Sequence, residues 1–177
     1  QGRVIVPDSE PVLTRIMDPR HAYWISDILS DNAARTPAFG ADSFLKLSFA
    51  AAAKTGTTND YRDGWTIGYT PDLVAGVWVG NNDYTETDRL TGSRGAAPIW
   101  HDFMERALAG TARPDFVRPA GLVDLQVCPI SGQLHTSQCP EAITASFLEE
   151  ELPEACEVHV QVDICTVSGQ LATENCP

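Results

Sequence analysis

Lys54-Thr55-Gly56-Thr57 places an ammonium, two hydroxyls and a side-chain-free position in four consecutive residues. On a strand edge such a set can do a definite kind of chemistry. A glycine lets another backbone approach closely. Hydroxyls and backbone N–H groups can hold an anion or a developing oxyanion, the device that contributes most in acyl transfer. The ammonium supplies fixed positive charge beside it. Four residues are a weak signal alone, and context decides what they mean.

The context is a sheet. The apolar segment Leu47 to Thr57 leads into the motif, and Asn59-Asp60 reads as a turn. Trp65, Ile67 and Tyr69 alternate with smaller or polar neighbours, as a strand does. Thr70-Pro71-Asp72 is a tight turn, and Leu73 to Gly80 is apolar and rich in valine. The three segments predict an antiparallel meander. Upstream, Asp18-Pro19 is a helix start, with Ala22, Ile25, Ile28 and Leu29 at helical spacing and an end near Asp31-Asn32. Arg35 to Ser43, carrying Pro37 and Gly40, reads as a loop, and residues 1–17 read as extended or irregular. A polar loop, Asn81 to Gly95, precedes a second helix opened by Pro98 with Ile99, Phe103, Ala107 and Leu108 along one face.

Beyond Pro114, Pro119 and Gly121 lies an internal repeat. The run from Val127-Cys128 through Ser-Gly-Gln-Leu to Cys139-Pro140 is echoed from Ile164-Cys165 through Ser-Gly-Gln-Leu to Cys176-Pro177. Each copy reads as strand, Ser-Gly turn, strand. The second copy stops at its Cys-Pro, so the protein ends there or the module has been cut. The expected organisation is residues 1–112, a linker over 113–121, and a small β module over 122–177.

The formal net charge of −12 argues against a nucleic-acid footprint, which needs positive charge. With 43% hydrophobic residues, the chain can bury a core. Its longest apolar patch, Phe49 to Ala53, is far short of the roughly 18–20 residues that span a bilayer.

The run Ala53 to Trp65, with Lys-Thr-Gly-Thr-Thr-Asn-Asp-Tyr-Arg-Asp-Gly inside it, resembles the signature of class A penicillin-binding proteins. So do Ile67 to Asn81, Thr91-Gly92, Gly95 to Trp100, and Arg35 to Gly40. The likeness covers roughly residues 17–110 and is specific; the cysteine repeats are similar to tails of some members, less specifically. The resemblance implies an α+β fold, an antiparallel sheet with packed helices, followed by a small all-β cysteine-containing module. It implies a peptidoglycan D,D-transpeptidase acting by serine acyl transfer, with stem peptides as partners and β-lactams as inhibitors. The location would be extracytoplasmic, with the parent protein anchored in the membrane through a segment outside this chain. It assigns Lys54 to electrostatic and proton-network support. Thr55, Gly56, Thr57 and Thr58 become the substrate-binding strand, and the Thr57 N–H the oxyanion donor. No cofactor and no nucleic-acid partner are implied.

The family also uses a nucleophile in Ser-x-x-Lys and a second element, Ser-x-Asn. No Ser-x-Asn precedes Lys54 here. Ser43-Phe44-Leu45-Lys46 fits the first pattern literally but lies eight residues before Lys54, leaving no room for intervening helices. It reads as a loop entering the strand, and the chain alone is expected to be inactive. A β-lactamase-like hydrolase or sensor, or a wall- or partner-binding module, are the alternatives.

Trp65, Trp78 and Trp100 read as sheet packing before sugar platforms, and His21 and His101 as helix-surface residues. The five cysteines, Cys128, Cys139, Cys156, Cys165 and Cys176, suit disulfides in the compartment the family implies. Cys128–Cys139 and Cys165–Cys176 are the simplest pairs, with Cys156 left over or joined to Cys139. Zinc is the rival, through Cys156-x-x-His159 with Cys139 and His135 nearby. The expectation is disulfides and no metal, leaning on the compartment the family implies, and Cys128 and Cys139 are far apart in sequence for a second ligand pair.

Overall fold

The computed structural model describes residues 14–172. The chain divides into two compact units, Gln1–Arg118 and Pro119–Pro177. Residues 1–13 of the expected extended or irregular stretch 1–17, and the expected role of Cys176, lie outside the described residues.

In the first unit, helix α1 spans Pro19–Ser30. The Asp18 side chain caps it by accepting from the Arg20 N–H at 2.8 Å, and Pro19 fills the position where no N–H is needed. Helix α2, Asn32–Phe39, corrects the loop expected there. Asp31 ends α1 and also caps α2, accepting from the Ala34 N–H at 2.9 Å. Pro37 removes one helical bond, but the Thr36 hydroxyl donates to Asn32 O at 2.7 Å and the Gly40 N–H closes on Thr36 O at 2.8 Å. Arg35 ties these pieces together, donating to the carbonyls of Leu29, Asp31 and Leu45.

Strand β1 is Ala52–Thr57, β2 Asp63–Tyr69 and β3 Val74–Gly80, in the order β1-β2-β3, both pairs antiparallel. This is the expected meander. The β1–β2 turn holds Asp60 and Tyr61 at φ 58 and 54. Helix α3, Ala96–Ala107, lies on one face of the sheet. Its Trp100 and Met104 are fully buried, packing with Leu45, Ala51, Ala53 and Ala97. The fit is close because the sheet has no side chain at Gly68, where a Cβ would sit 2.3 Å from Trp100 Cζ2 and 2.8 Å from Ala52 O. Trp100 is core, as expected. Trp65 and Trp78 face each other across β2 and β3 on the opposite face.

In the second unit, β4 (Leu122–Val127) and β5 (Ile143–Leu148) form an antiparallel pair. The two Cys-x-x-Ser-Gly-Gln copies close through the same bonds. Gly132 N–H donates to Cys128 O and Gly169 N–H to Cys165 O, each at 2.8 Å, with both glycines at positive φ, 72 and 70. Each copy is a turn closed by one bridge, Val127 to Leu134 and Ile164 to Leu171, and not the full hairpin expected. Among the described residues no helix is long and apolar enough to cross a membrane.

Two outcomes follow. Gly68→Ala forces a methyl into Trp100 and destabilises the first unit by roughly 1–3 kcal/mol, whereas Gly76→Ala, with its nearest neighbour at 3.5 Å, melts close to wild type; thermal denaturation reads both. The Asp18 carboxyl is held at about 2, below its usual 3.8, by the Arg20 guanidinium first and the Arg20 N–H second. Its cap therefore contributes fully above pH 3.8 and is lost as pH falls through 2. Helical circular dichroism across that window shows this loss, and Asp18→Asn flattens it.

Candidate functional site

The Lys54–Thr57 tetrapeptide forms most of β1, the outer strand of its sheet. Gly56 is exposed, and a Cβ there would meet only Trp65 Cβ at 3.7 Å. It does not lie in the core. Strand alternation fixes what the free edge presents. The Thr58 N–H donates inward to Asp63 O at 3.0 Å, so the N–H and C=O groups of Thr55 and Thr57 point away from β2. Consistently, Lys54 Nζ donates to Thr55 O at 2.6 Å, reaching that outward carbonyl. Lys54 and Gly56 share the sheet face that α3 leaves open, beside Ile67, Trp65 and Trp78. A groove of about 100 Å³ borders the first half of the edge, lined by Ile28, Leu29, Phe39, Leu45, Lys54 and Thr55.

The loop from Asn81 to Gly95 braces this strand from the α3 side. Gly92 N–H donates to Thr57 Oγ1 at 3.1 Å, and Gly92 O accepts from the buried Thr66 hydroxyl at 3.2 Å. Gly92 lies so flat on β1 and β2 that a Cβ would come within 2.4 Å of Gly56 O and 2.3 Å of Trp65 O. The turn after the motif is also held. Thr87 N–H reaches Tyr61 O at 3.1 Å, Arg62 lies over the Tyr84 ring at 5.1 Å, and Asp63 accepts from Trp78 Nε1 at 2.8 Å. Arg62 and Asp60 pair at 3.7 Å, so these charges form a turn-stabilising set.

Ser43 and Lys46 do not form a nucleophile pair. Ser43 sits in a turn, not at a helix start, and Lys46 Nζ is engaged by Asp42 at 3.3 Å. His21 stacks on Trp24 and His101 contacts Phe44 O at 3.2 Å, and neither lines the groove beside the strand edge.

The second unit holds a separate constellation. Cys128, Cys139 and Cys156 are buried free thiols, and the expected Cys128–Cys139 disulfide is not formed. The partner expected for Cys165 lies outside the described residues. With His159, the three sulfurs make a group whose ligand atoms all lie within 4.8 Å of one another. His159 Nδ1 is 3.4 Å from Cys128 Sγ and 3.5 Å from Cys156 Sγ. The Ser131 hydroxyl donates to Cys156 Sγ at 3.2 Å and holds that thiol down to about 5, with His159 adding to the effect against burial. Cys156 raises His159 in return. Sequence spacing hid the grouping. Leu134 bridges both Val127 and Ala155, with Cys156 N–H donating to Leu134 O at 2.9 Å, and so carries Cys156 to Cys128.

Residues 118–161 match the family model "Penicillin-binding protein 1A, C-terminal domain". Penicillin-binding protein 1A of Clostridium tetani is 34% identical over 170 residues, 91% of this chain. That of Pseudomonas aeruginosa is 37% identical over 141 residues, 78% of the chain. The chain belongs to the class A penicillin-binding proteins. It spans 21% and 17% of the length of those two relatives. The crystal structure of penicillin-binding protein 1A from Haemophilus influenzae superposes with a TM-score of 0.52 at 26% identity, over 61% of this chain and 16% of that one. The α+β architecture is therefore that of a partial penicillin-binding fold.

Gly92→Ala is expected to push β1 from β2 and to cost toward the upper end of the roughly 1–3 kcal/mol of overpacking. Amide exchange at Gly56 and Trp65 then accelerates, while exchange in β4 and β5 is unchanged.

Proposed function

We infer that the chain supplies the β-strand wall of a peptidoglycan D,D-transpeptidase site. Residues 1–112 are then the C-terminal part of the transpeptidase domain, 113–121 a linker, and 122–177 an appended module. The observation that carries this reading is the free edge of β1: an outward Thr57 N–H beside an exposed, side-chain-free Gly56. An extended stem peptide docks there as an added strand, its backbone meeting the outward groups of Thr55 and Thr57.

Each residue has a role in that reading. The hydroxyls of Thr55, Thr57 and Thr58 hold the peptide carboxylate. The Thr57 hydroxyl is oriented because its oxygen already accepts from Gly92 N–H. Thr58 is the least available, since its oxygen accepts from Asp63 N–H at 2.8 Å. The Thr57 N–H stabilises the oxyanion formed when a serine attacks the D-Ala-D-Ala carbonyl. Lys54 contributes positive charge and a proton relay toward that serine, after leaving the Thr55 carbonyl it now contacts. The acyl group then passes to an amine of a neighbouring strand, and β-lactams trap the same serine. The nucleophile belongs to a Ser-x-x-Lys element outside these residues. Support comes from the open sheet face, where Trp65, Ile67, Val74 and Trp78 are 41–68% exposed: so apolar a surface suits cover by the rest of a domain. The site works outside the cytoplasm, on a parent protein anchored in the membrane.

The test uses the full-length parent and a fluorescent penicillin. Thr57→Pro removes the outward N–H, and an edge strand tolerates proline there. Acylation is expected to slow by about 10²–10³, with a smaller loss for Thr57→Val, which keeps the N–H. The 177-residue chain alone stays unlabelled. Wild-type labelling of Thr57→Pro, or labelling of the isolated chain, overturns the assignment.

A further inference from the structure

The second unit has little apolar core to hold it. Outside the four-ligand group, its buried hydrophobic side chains are Val127, Leu148 and Cys165 among the described residues. Units of this size depend on a staple, either covalent or metal. The three thiols of Cys128, Cys139 and Cys156 form a buried cluster of their own. Their sulfurs and a His159 ring nitrogen all lie within 4.8 Å of one another. One disulfide among three leaves an odd buried thiol, and it leaves His159 with no role. A metal uses all four.

We propose that Cys128, Cys139, Cys156 and His159 bind one structural Zn²⁺ through three thiolate sulfurs and the His159 Nδ1. The donor set selects the metal. Soft thiolates with one imidazole suit tetrahedral zinc, whose closed sites take four protein ligands of this kind. Geometry agrees as well. Zn–S bonds of about 2.3 Å place tetrahedral ligand atoms roughly 3.8 Å apart, and here they already lie within 4.8 Å of one another. The thiols give up their protons to solvent as the metal enters, so no oxidant or reductant is needed.

The surroundings are those of a metal site. Ser131 Oγ donates to Cys156 Sγ at 3.2 Å, and Thr136 N–H and hydroxyl both approach Cys139 Sγ at 3.5 Å. Such donors orient and stabilise coordinated thiolates. The backbone that presents the ligands is built by two devices. The Ser-Gly turn folds the chain tightly just after Cys128, through Gly132 N–H to Cys128 O at 2.8 Å. Leu134 pairs with both arms and brings the Cys156-x-x-His159 corner against it. The family-model match, residues 118–161, contains all four ligands and ends just beyond His159. The proposal does not depend on the transpeptidase reading, because no residue is shared between the two sites.

The experiment uses the 177-residue chain, purified under reducing conditions with zinc present and then freed of excess metal. Elemental analysis is expected to give one zinc per chain. Cobalt replacement is expected to give the intense visible bands of a tetrahedral thiolate site. His135→Gln leaves the stoichiometry unchanged, whereas the double variant Cys156→Ser, His159→Gln loses it. Ser131→Ala keeps all four ligands and weakens zinc binding by about 10–100-fold, read by competition with a chromophoric chelator. A folded wild-type chain that holds no zinc and takes up no cobalt overturns the proposal. So does stoichiometric iron in place of zinc, or peptide mapping that finds Cys128 joined to Cys139 in reduced, freshly purified material.

Discussion

The first unit depends on how closely Gly92 and Trp100 approach the sheet. Both need bare backbone beneath them, at Gly68 for the indole and across Gly56 and Trp65 for Gly92. Gly92 N–H also holds the Thr57 hydroxyl oxygen. Strand β1 is left as an outer strand of the sheet among the described residues. In the transpeptidase reading, a strand braced this way holds its donors ready for a charge that exists only briefly.

Much of this was legible from residues alone. Asp18-Pro19 announced α1 because a carboxylate cap and a proline need no partner from elsewhere. Alternation along Trp65, Ile67 and Tyr69 gave β2, and the Thr70-Pro71-Asp72 turn placed β3 beside it. Helix α2 escaped because Pro37 and Gly40 look like breakers. Their cost is offset by contacts that the local pattern does not show: the double use of Asp31, the Thr36 hydroxyl, and the Arg35 guanidinium reaching three carbonyls.

The cysteines were harder for a similar reason. Counting along the chain, Cys128 and Cys139 make a poor ligand pair, and only Cys156 and His159 are close. What joins the two halves is a pair of backbone bridges at Leu134, a leucine with no chemical signature. The repeated Ser-Gly turn was visible from the start. Its significance, a tight fold that turns Cys128 inward, belongs to the backbone and to a positive φ at Gly132.

Trp65 lies directly across from Gly56 and Trp78 across from Trp65, each about two-fifths exposed. Indole emission shifts with solvent contact, so this sheet face carries its own optical reporter. Whatever covers that face dries these rings and moves the fluorescence toward the blue, with no dye attached. Trp100, sealed in the core, supplies a constant internal reference for the same spectrum.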